Sequence, residues 1–278
     1  PEASATSPTT GSESSLQPDK NPATLNPSQK SEPDVPAQTR RATYIDPFAG
    51  PQTNRSDQAW TAQLVLLSEP KWFRNFFLFD ESPDQITRLH QLSSEHEDRN
   101  VRIHQGNSNL VLPSILPVGS IREREATFCL LDQRTFECEW QLCQHIAQLR
   151  PGATKVEQFY FLANSWLPRS LKGTSTPEGE QRIVAWLGNE DWRSFARLGS
   201  FERAETFVAK FKNELGNRSV QAWPIYQRER DEGKLMYYMI HATDHPEAPK
   251  LMARAYAQTV KPPPSVDQLA FGFNGSGS

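Results

Sequence analysis

Three short runs of this chain are apolar at nearly every position, and each ends on an acid. They are Ala42-Thr43-Tyr44-Ile45-Asp46, Asn75-Phe76-Phe77-Leu78-Phe79-Asp80 and Ala126-Thr127-Phe128-Cys129-Leu130-Leu131-Asp132. Apolar runs of this length, without alternation, belong to strands buried on both faces, and such strands make parallel sheets covered by helices on either side. The stretches between them supply the helices. Ser56 to Leu67 carries Trp60, Leu64 and Leu67 on one predicted face, and Asp84 to Glu95 carries Ile86, Leu89 and Leu92. Asn109 to Leu116 and Glu137 to Leu149 are two further predicted helices, while Val101 to His104 and Val156 to Ala163 are two further strands.

Beyond the fifth strand the pattern changes. Residues 164–218 read as a helical insertion, with Ser200 as an N-cap and Phe207, Phe211 and Leu215 on one face. Val220 to Tyr226 and Leu235 to Thr243 flank Asp231-Glu232-Gly233-Lys234, a hairpin whose strands run antiparallel. Thr243-Asp244-His245-Pro246 is expected to cap a last helix, Glu247 to Gln258. The fold class is therefore α/β, in the chain order of a Rossmann-like class I methyltransferase fold: a mostly parallel sheet with a C-terminal antiparallel hairpin.

Composition sets the limits of that domain. Residues 1–43 are rich in Pro, Ser, Thr, Gln and Asn, have no aromatic residue, and carry only Leu16, Leu25 and Val35 as branched aliphatics. Such a segment cannot bury enough apolar surface to offset the entropy of ordering it, so a disordered tail is expected. Residues 261–278, with Pro262-Pro263-Pro264 and a Gly-Ser end, are expected to be a second flexible tail. Residues 44–260 remain as one domain with a substantial core. A net charge of −3 gives no basic field that would attract nucleic acid by itself. Cys129, Cys138 and Cys143 form neither a C-x-x-C pair nor a disulfide framework; the first reads as strand and the other two as helix. With no apolar run of spanning length and no signal pattern, the expected location is cytoplasmic, away from membranes.

The chemistry should lie where the strands end, because ligands of open α/β sheets sit outside the carboxyl ends. The first strand runs into Asp46-Pro47-Phe48-Ala49-Gly50-Pro51-Gln52. A glycine there lets backbone approach a ligand, although a tight turn with no ligand is the plainer reading. This stretch is similar to the D-P-F-x-G-x-G loop of S-adenosylmethionine-dependent methyltransferases, with Gln52 where a second glycine is usual. Asp80 suits the two ribose hydroxyls of a nucleoside, or else a helix cap. Asn107, in Gln105-Gly106-Asn107-Ser108-Asn109, suits an adenine edge, or again an N-cap. Asp132 and Arg134 stand where a catalytic loop belongs, without the Asp/Asn-Pro-Pro-aromatic signature of amino-methyltransferases. His145 reads as a surface or capping histidine, and Trp166 as a lid packed on the core or a stacking surface for a base.

Four stretches together resemble the three-Cys-motif partner family, TcmP. They are Tyr44 to Pro51, Gly106 to Asn109, Leu131 to Glu137, and Met236 to Ile240 leading into Ala242-Thr243-Asp244-His245-Pro246. The resemblance spans about residues 42–260. It implies a methyltransferase-like domain in a bacterial protein that works with a three-Cys-motif protein encoded nearby; the three cysteines of this chain are not that motif. Members of the family carry an amphipathic helix before the first strand, and here that place is taken by the Pro/Ser/Thr-rich tail.

The leading expectation is an S-adenosylmethionine-dependent methyltransferase, or a cofactor-binding relative, acting on nucleic acid or a nucleobase. Asp46, Phe48, Ala49, Gly50, Asp80 and Asn107 would bind the cofactor; Asp132 and Arg134 would be catalytic; no metal is expected. The rival is a non-catalytic accessory protein with a degenerate methyltransferase fold. A third reading has Asp46, Asp80 and Asp132 converge on a metal ion, with no His or Cys ligand beside them.

Overall fold

Strands that are apolar on both faces need a layer of helices on each side, and the computed structural model supplies both layers. It describes residues 42–51, 60–150, 152, 154–164, 166–227 and 233–259. The strands are β1 (Ala42–Asp46), β2 (Phe73–Asp80), β3 (Asn100–Gln105), β4 (Ala126–Leu131), β5 (Glu157–Ala163), β6 (Ser219–Gln227) and β7 (Lys234–Thr243). Between and after them come α1 (Thr61–Leu67), α2 (Pro83–Ser94), α3 (Ser108–Ile115), α4 (Trp140–Ala147), α5 (Leu167–Gly173), α6 (Pro177–Leu187), α7 (Trp192–Arg197), α8 (Ser200–Asn213) and α9 (Ala248–Thr259).

The strands form one sheet in the order β3-β2-β1-β4-β5-β7-β6. β1 to β5 pair in parallel, and β7 lies antiparallel to both β5 and β6. That is the strand order of the class I methyltransferase fold, as expected. The chain builds outward from β1 to β3, then returns to the other side of β1 as β4. The order reverses between β1 and β4, and outside the carboxyl ends at such a reversal is where ligands of open α/β sheets bind.

Successive side chains of a strand point to opposite faces, and β2 feeds both cores in this way. Phe77 and Phe79 enter the larger core with Ile45, Leu131, Tyr160, Trp186, Phe207 and Phe211. Phe76 and Leu78 enter the smaller one with Tyr44, Leu66, Leu89 and Leu92. Complete burial of each large apolar side chain contributes about 1.5–3 kcal/mol.

Several local expectations are corrected. On α1 the buried residues are Ala62 and Leu66, while Leu64 and Leu67 are exposed. This short helix is apolar around its whole girth, so periodicity does not select a face. Gly199, not Ser200, caps α8; the Glu202 carboxylate accepts the Gly199 N–H, and the Ser200 hydroxyl donates to Asn164. Within the expected cap Thr243-Asp244-His245-Pro246, His245 Nδ1 accepts the Glu247 N–H (3.2 Å) just before α9, while Asp244 accepts the N–H groups of Lys155 (2.9 Å) and Arg218 (2.9 Å), joining the start of β5 to the start of β6. Cys138 precedes α4 rather than lying within it. The tail boundary at Thr43 falls inside β1, since Ala42 and Thr43 already pair with Phe73 and Asn75. The expectations for residues 1–41, 52–59, 260–278 and the hairpin turn at Asp231 and Glu232 fall outside the described residues.

Candidate functional site

Asp46 closes β1 and is almost wholly buried, at 2% exposure. Two residues back on the same strand face, the Tyr44 hydroxyl donates to Asp46 Oδ2 (3.0 Å), and the Phe48 N–H donates to Oδ1 (3.1 Å). Burial pushes the Asp46 carboxyl up to about 7; the nearby Asp132 and Asp80 carboxylates push the same way, against the two hydrogen bonds. Burial and the neighbouring Asp46 likewise hold the Tyr44 phenol and the Cys129 thiol well above their ordinary values.

The loop that follows is tied down at nearly every residue. Ser108 donates its hydroxyl to the Pro47 carbonyl, and Ala49 N–H donates to the Phe79 carbonyl (2.8 Å). The Trp60 indole N–H donates to the Ala49 carbonyl (2.6 Å), and Gly50 N–H donates to Asp80 Oδ2 (3.0 Å). Arg134 Nη2 lies 3.4 Å from the Pro51 carbonyl. A Cβ added to Gly50 would fall 2.2 Å from Asp80 Oδ2 and 2.7 Å from the Gln85 Cβ. The close approach that requires glycine is thus to the acid of the next strand. Gln52 lies outside the described residues.

Asp80 is half-buried, and its other oxygen, Oδ1, accepts the Ser82 N–H (2.8 Å) just before α2. Asn107 is exposed and does what its capping alternative requires. Its Oδ1 accepts both the backbone N–H (2.9 Å) and the side-chain amide (3.0 Å) of Asn109. Asn109 in turn donates to the Glu137 carbonyl (2.8 Å) and accepts the Glu139 N–H (3.0 Å). The third and fourth strand-end loops are therefore joined.

In the loop after β4, Gln133 is buried; it accepts the Cys138 N–H (3.2 Å) and donates to the Phe161 carbonyl of β5 (3.5 Å). Its amide thus ties the loop to itself and to β5. Asp132 is half-buried and Arg134 exposed, with the Arg134 N–H on Glu137 Oε2 (3.0 Å). Trp166 packs edge-on against Phe136 (5.7 Å), which also meets Trp186 (4.9 Å), in keeping with core packing. His145 Nε2 contacts the Leu116 carbonyl (2.7 Å) at the end of α3, a capping role. Among the described residues, no group of three His, Cys, Asp or Glu side chains is placed to hold a metal ion, so the metal reading has no support.

The strand ends at the reversal thus bring together Asp46, Phe48 to Gly50, Asp80, Asp132 and Arg134, with Asn107 on the adjoining loop. Three residues that were not among the candidate site residues hold them together: Tyr44, Trp60 and Ser108. Tyr44 carried a signal, a hydroxyl two residues before an acid on an otherwise apolar strand. Trp60 and Ser108 carried none, because their acceptors are backbone carbonyls on another loop.

S-adenosylmethionine is the cofactor that this fold implies, and its ribose end fits these residues. Asp80 is half-buried, and each of its oxygens accepts a backbone N–H, whereas a carboxylate oxygen has lone pairs for two. The fit is poorer at Asn107, whose side-chain oxygen is already committed to Asn109.

No protein-family profile matches the chain, and no curated protein does. Among solved structures it is similar to a precorrin-6y C5,15-methyltransferase from Geobacter metallireducens GS-15, at 12% identity over 74% of this chain and 82% of that one, with a TM-score of 0.36. M. jannaschii TYW2 in complex with AdoMet aligns at 9% identity over 73% of this chain and 68% of that one, TM-score 0.36. An rRNA methylase from Streptococcus thermophilus aligns at 8% identity over 75% and 92%, TM-score 0.36. Likenesses this distant add nothing to the strand order, which carries the fold by itself. No helix among the described residues is long and apolar enough to cross a membrane.

Proposed function

We propose that this chain is an S-adenosylmethionine-dependent methyltransferase that acts on nucleic acid or a nucleobase together with a partner. As the TcmP resemblance implies, that partner is a three-Cys-motif protein encoded nearby. The observation that carries the reading is the gathering of Asp46, Asp80 and Asp132 on either side of the reversal in strand order. When bound, the cofactor supplies a methyl group on a sulfonium, and it also carries an ammonium. Its net positive charge suits the half-buried carboxylates of Asp80 and Asp132 beside the buried Asp46, where attraction is stronger than in bulk water. Asp80 would take the ribose, the backbone of Phe48 to Gly50 would lie beside the methionine part, and Asn107 would face adenine through its amide nitrogen. Asp132 would orient the acceptor, with Arg134 beside it.

A second reading, a non-catalytic accessory protein, is favoured by one specific observation. The Asn107 oxygen, a candidate ligand contact, is spent on Asn109, and the Gln133 amide beside Asp132 is spent on backbone. Calorimetric titration of the purified chain with S-adenosylmethionine, with and without Mg²⁺, separates the two. Saturable binding that is lost in Asp80→Ala supports the methyltransferase reading; no binding at millimolar cofactor supports the accessory one.

A further inference from the structure

We propose that Trp166, Arg134, Arg169 and Lys172 form a docking surface for a nucleic-acid strand that presents an unpaired base. The inference rests on the nucleic-acid reading above, and adds where the strand lies and that the base must be out of a duplex.

The surface is built on the ends of two neighbouring strands. β4 and β5 pair in parallel, with Leu131 beside Tyr160. The loop after β4 carries Asp132 and Arg134, the loop after β5 carries Trp166, and Phe136 meets Trp166 edge-on at 5.7 Å. Trp166 is half-buried and leads into α5, whose buried residues are Leu167 and Leu171. With about 3.6 residues per turn, Arg169 and Lys172 fall on the other side of that helix. Both are exposed, as is Arg134. From Ala163 to Pro177 the chain has no acidic residue to set against them.

Charge is segregated here. Asp46, Asp80 and Asp132 lie close enough at the strand ends to act on one another, so an anion is repelled from them. The cations stand on the loop and the helix that follow β4 and β5. A phosphodiester backbone is attracted to the cations and kept off the acids, and the part of the strand that can approach Asp132 is a neutral base. The Asp132 carboxylate accepts from a base amino group, and Trp166 offers an aromatic side chain beside it. Stacking on such a ring tolerates any base, since each has a π-face. A base held in a duplex must leave its stack to reach a side chain in this way. The chain's net charge of −3 gives no general pull on nucleic acid, so affinity has to come from these local cations.

The test is fluorescence anisotropy of labelled oligonucleotides, RNA and DNA, single-stranded and duplex, with the full-length chain at several salt concentrations and without cofactor. Single strands should bind about tenfold or more tighter than the duplex of the same sequence. Arg169→Gln and Lys172→Gln should each weaken binding and lower the slope of log affinity against log salt by about one. Trp166→Ala should weaken it about tenfold and leave the slope alone, and Trp166→Phe should restore most of the loss. Arg124, exposed just ahead of β4 at the opposite edge of the sheet, is the control: Arg124→Gln should change nothing. Binding of RNA, of DNA or of both meets the expectation, and binding of neither overturns it. Equal affinity for single strand and duplex, an Arg124→Gln loss that matches Arg169→Gln, or full affinity in Trp166→Ala would overturn it too. Arg169 and Lys172 are exposed, so their variants decide the matter even where Trp166→Ala does not fold. S-adenosylmethionine binding without oligonucleotide binding would remove this surface and leave the cofactor reading; the converse result would remove the cofactor reading and leave the surface.

Discussion

The Gly50 N–H donates to Asp80 Oδ2 across 3.0 Å, so the loop after β1 is fastened to the end of β2. Thirty positions of sequence separate the two residues, yet the parallel pairing of β1 with β2 sets both strand ends side by side, Asp46 opposite Leu78. The contact joins the two stretches on which any nucleoside in this crevice would rest. Its consequences are testable without knowing the substrate.

Gly50→Ala should destabilise the fold. The new Cβ would meet Asp80 Oδ2 at 2.2 Å and the Gln85 Cβ at 2.7 Å, and neither the bonded carboxylate nor the helix-borne Cβ can withdraw easily. Overpacking of this kind costs about 1–3 kcal/mol. Urea denaturation would show it, and an unchanged midpoint would mean that the loop moves aside freely.

Asp80→Ala removes the acceptor of two backbone N–H groups, those of Gly50 and Ser82. Each donor left unpaired costs roughly 1–3 kcal/mol when buried, less where water reaches it, as at half-buried Asp80. Asp80→Asn keeps one acceptor oxygen and should fall between wild type and Asp80→Ala in thermal midpoint. Affinity for an adenosine-containing ligand should drop about tenfold or more in both variants, since the ribose contact needs the charge. A ligand bound equally by all three proteins would remove Asp80 from the site while leaving its structural role intact.

Much of this architecture was legible in the sequence, for identifiable reasons. Continuous apolar runs such as Phe76 to Phe79 reveal strands buried on both faces, and the hairpin after them announces the antiparallel end. The cap at Asn107 was legible too, because capping is local. What stayed hidden was long-range. Nothing near Gln133 in sequence announces that β5 will bring the Phe161 carbonyl to it. The close packing that requires glycine at position 50 appears only when β2 brings Asp80 to it. Leu64 and Leu67 read as core because a seven-residue helix with apolar residues on every side offers no stripe to choose.

Stability should depend on pH through Asp46. Unfolded, this carboxyl ionises near its ordinary value of about 3.9; folded, it keeps its proton up to about 7. Between those values the folded state binds more protons than the unfolded one. Stability therefore declines as pH rises through the window and levels off above it. The gap corresponds to at most about 4 kcal/mol. Denaturation at about pH 5 and about pH 8 should show the decline in wild type and a much smaller one in Asp46→Asn. Equal slopes in the two proteins would assign the dependence to other groups.

Asp132→Asn distinguishes an enzyme from an accessory protein, and it does so with a physical readout beside the functional one. Asp132 follows the wholly apolar end of β4, half-buried at the carboxyl edge of a central strand. Its carboxylate is among the charges that hold the Asp46 carboxyl up. Neutralising it should therefore lower the Asp46 midpoint whatever the protein does, and a midpoint that stays put would show that the two groups do not share the crevice. If Asp132 orients or deprotonates an acceptor, the same variant should lose turnover by about a hundredfold or more, the usual range for a general acid or base. Cofactor affinity should stay within a few fold, because the interaction lost is with the acceptor. In an accessory protein the Asp46 midpoint would fall all the same, while function reconstituted with the partner would be untouched. A lowered midpoint with full activity retained would thus end the catalytic assignment of Asp132 and leave the carboxylate cluster standing.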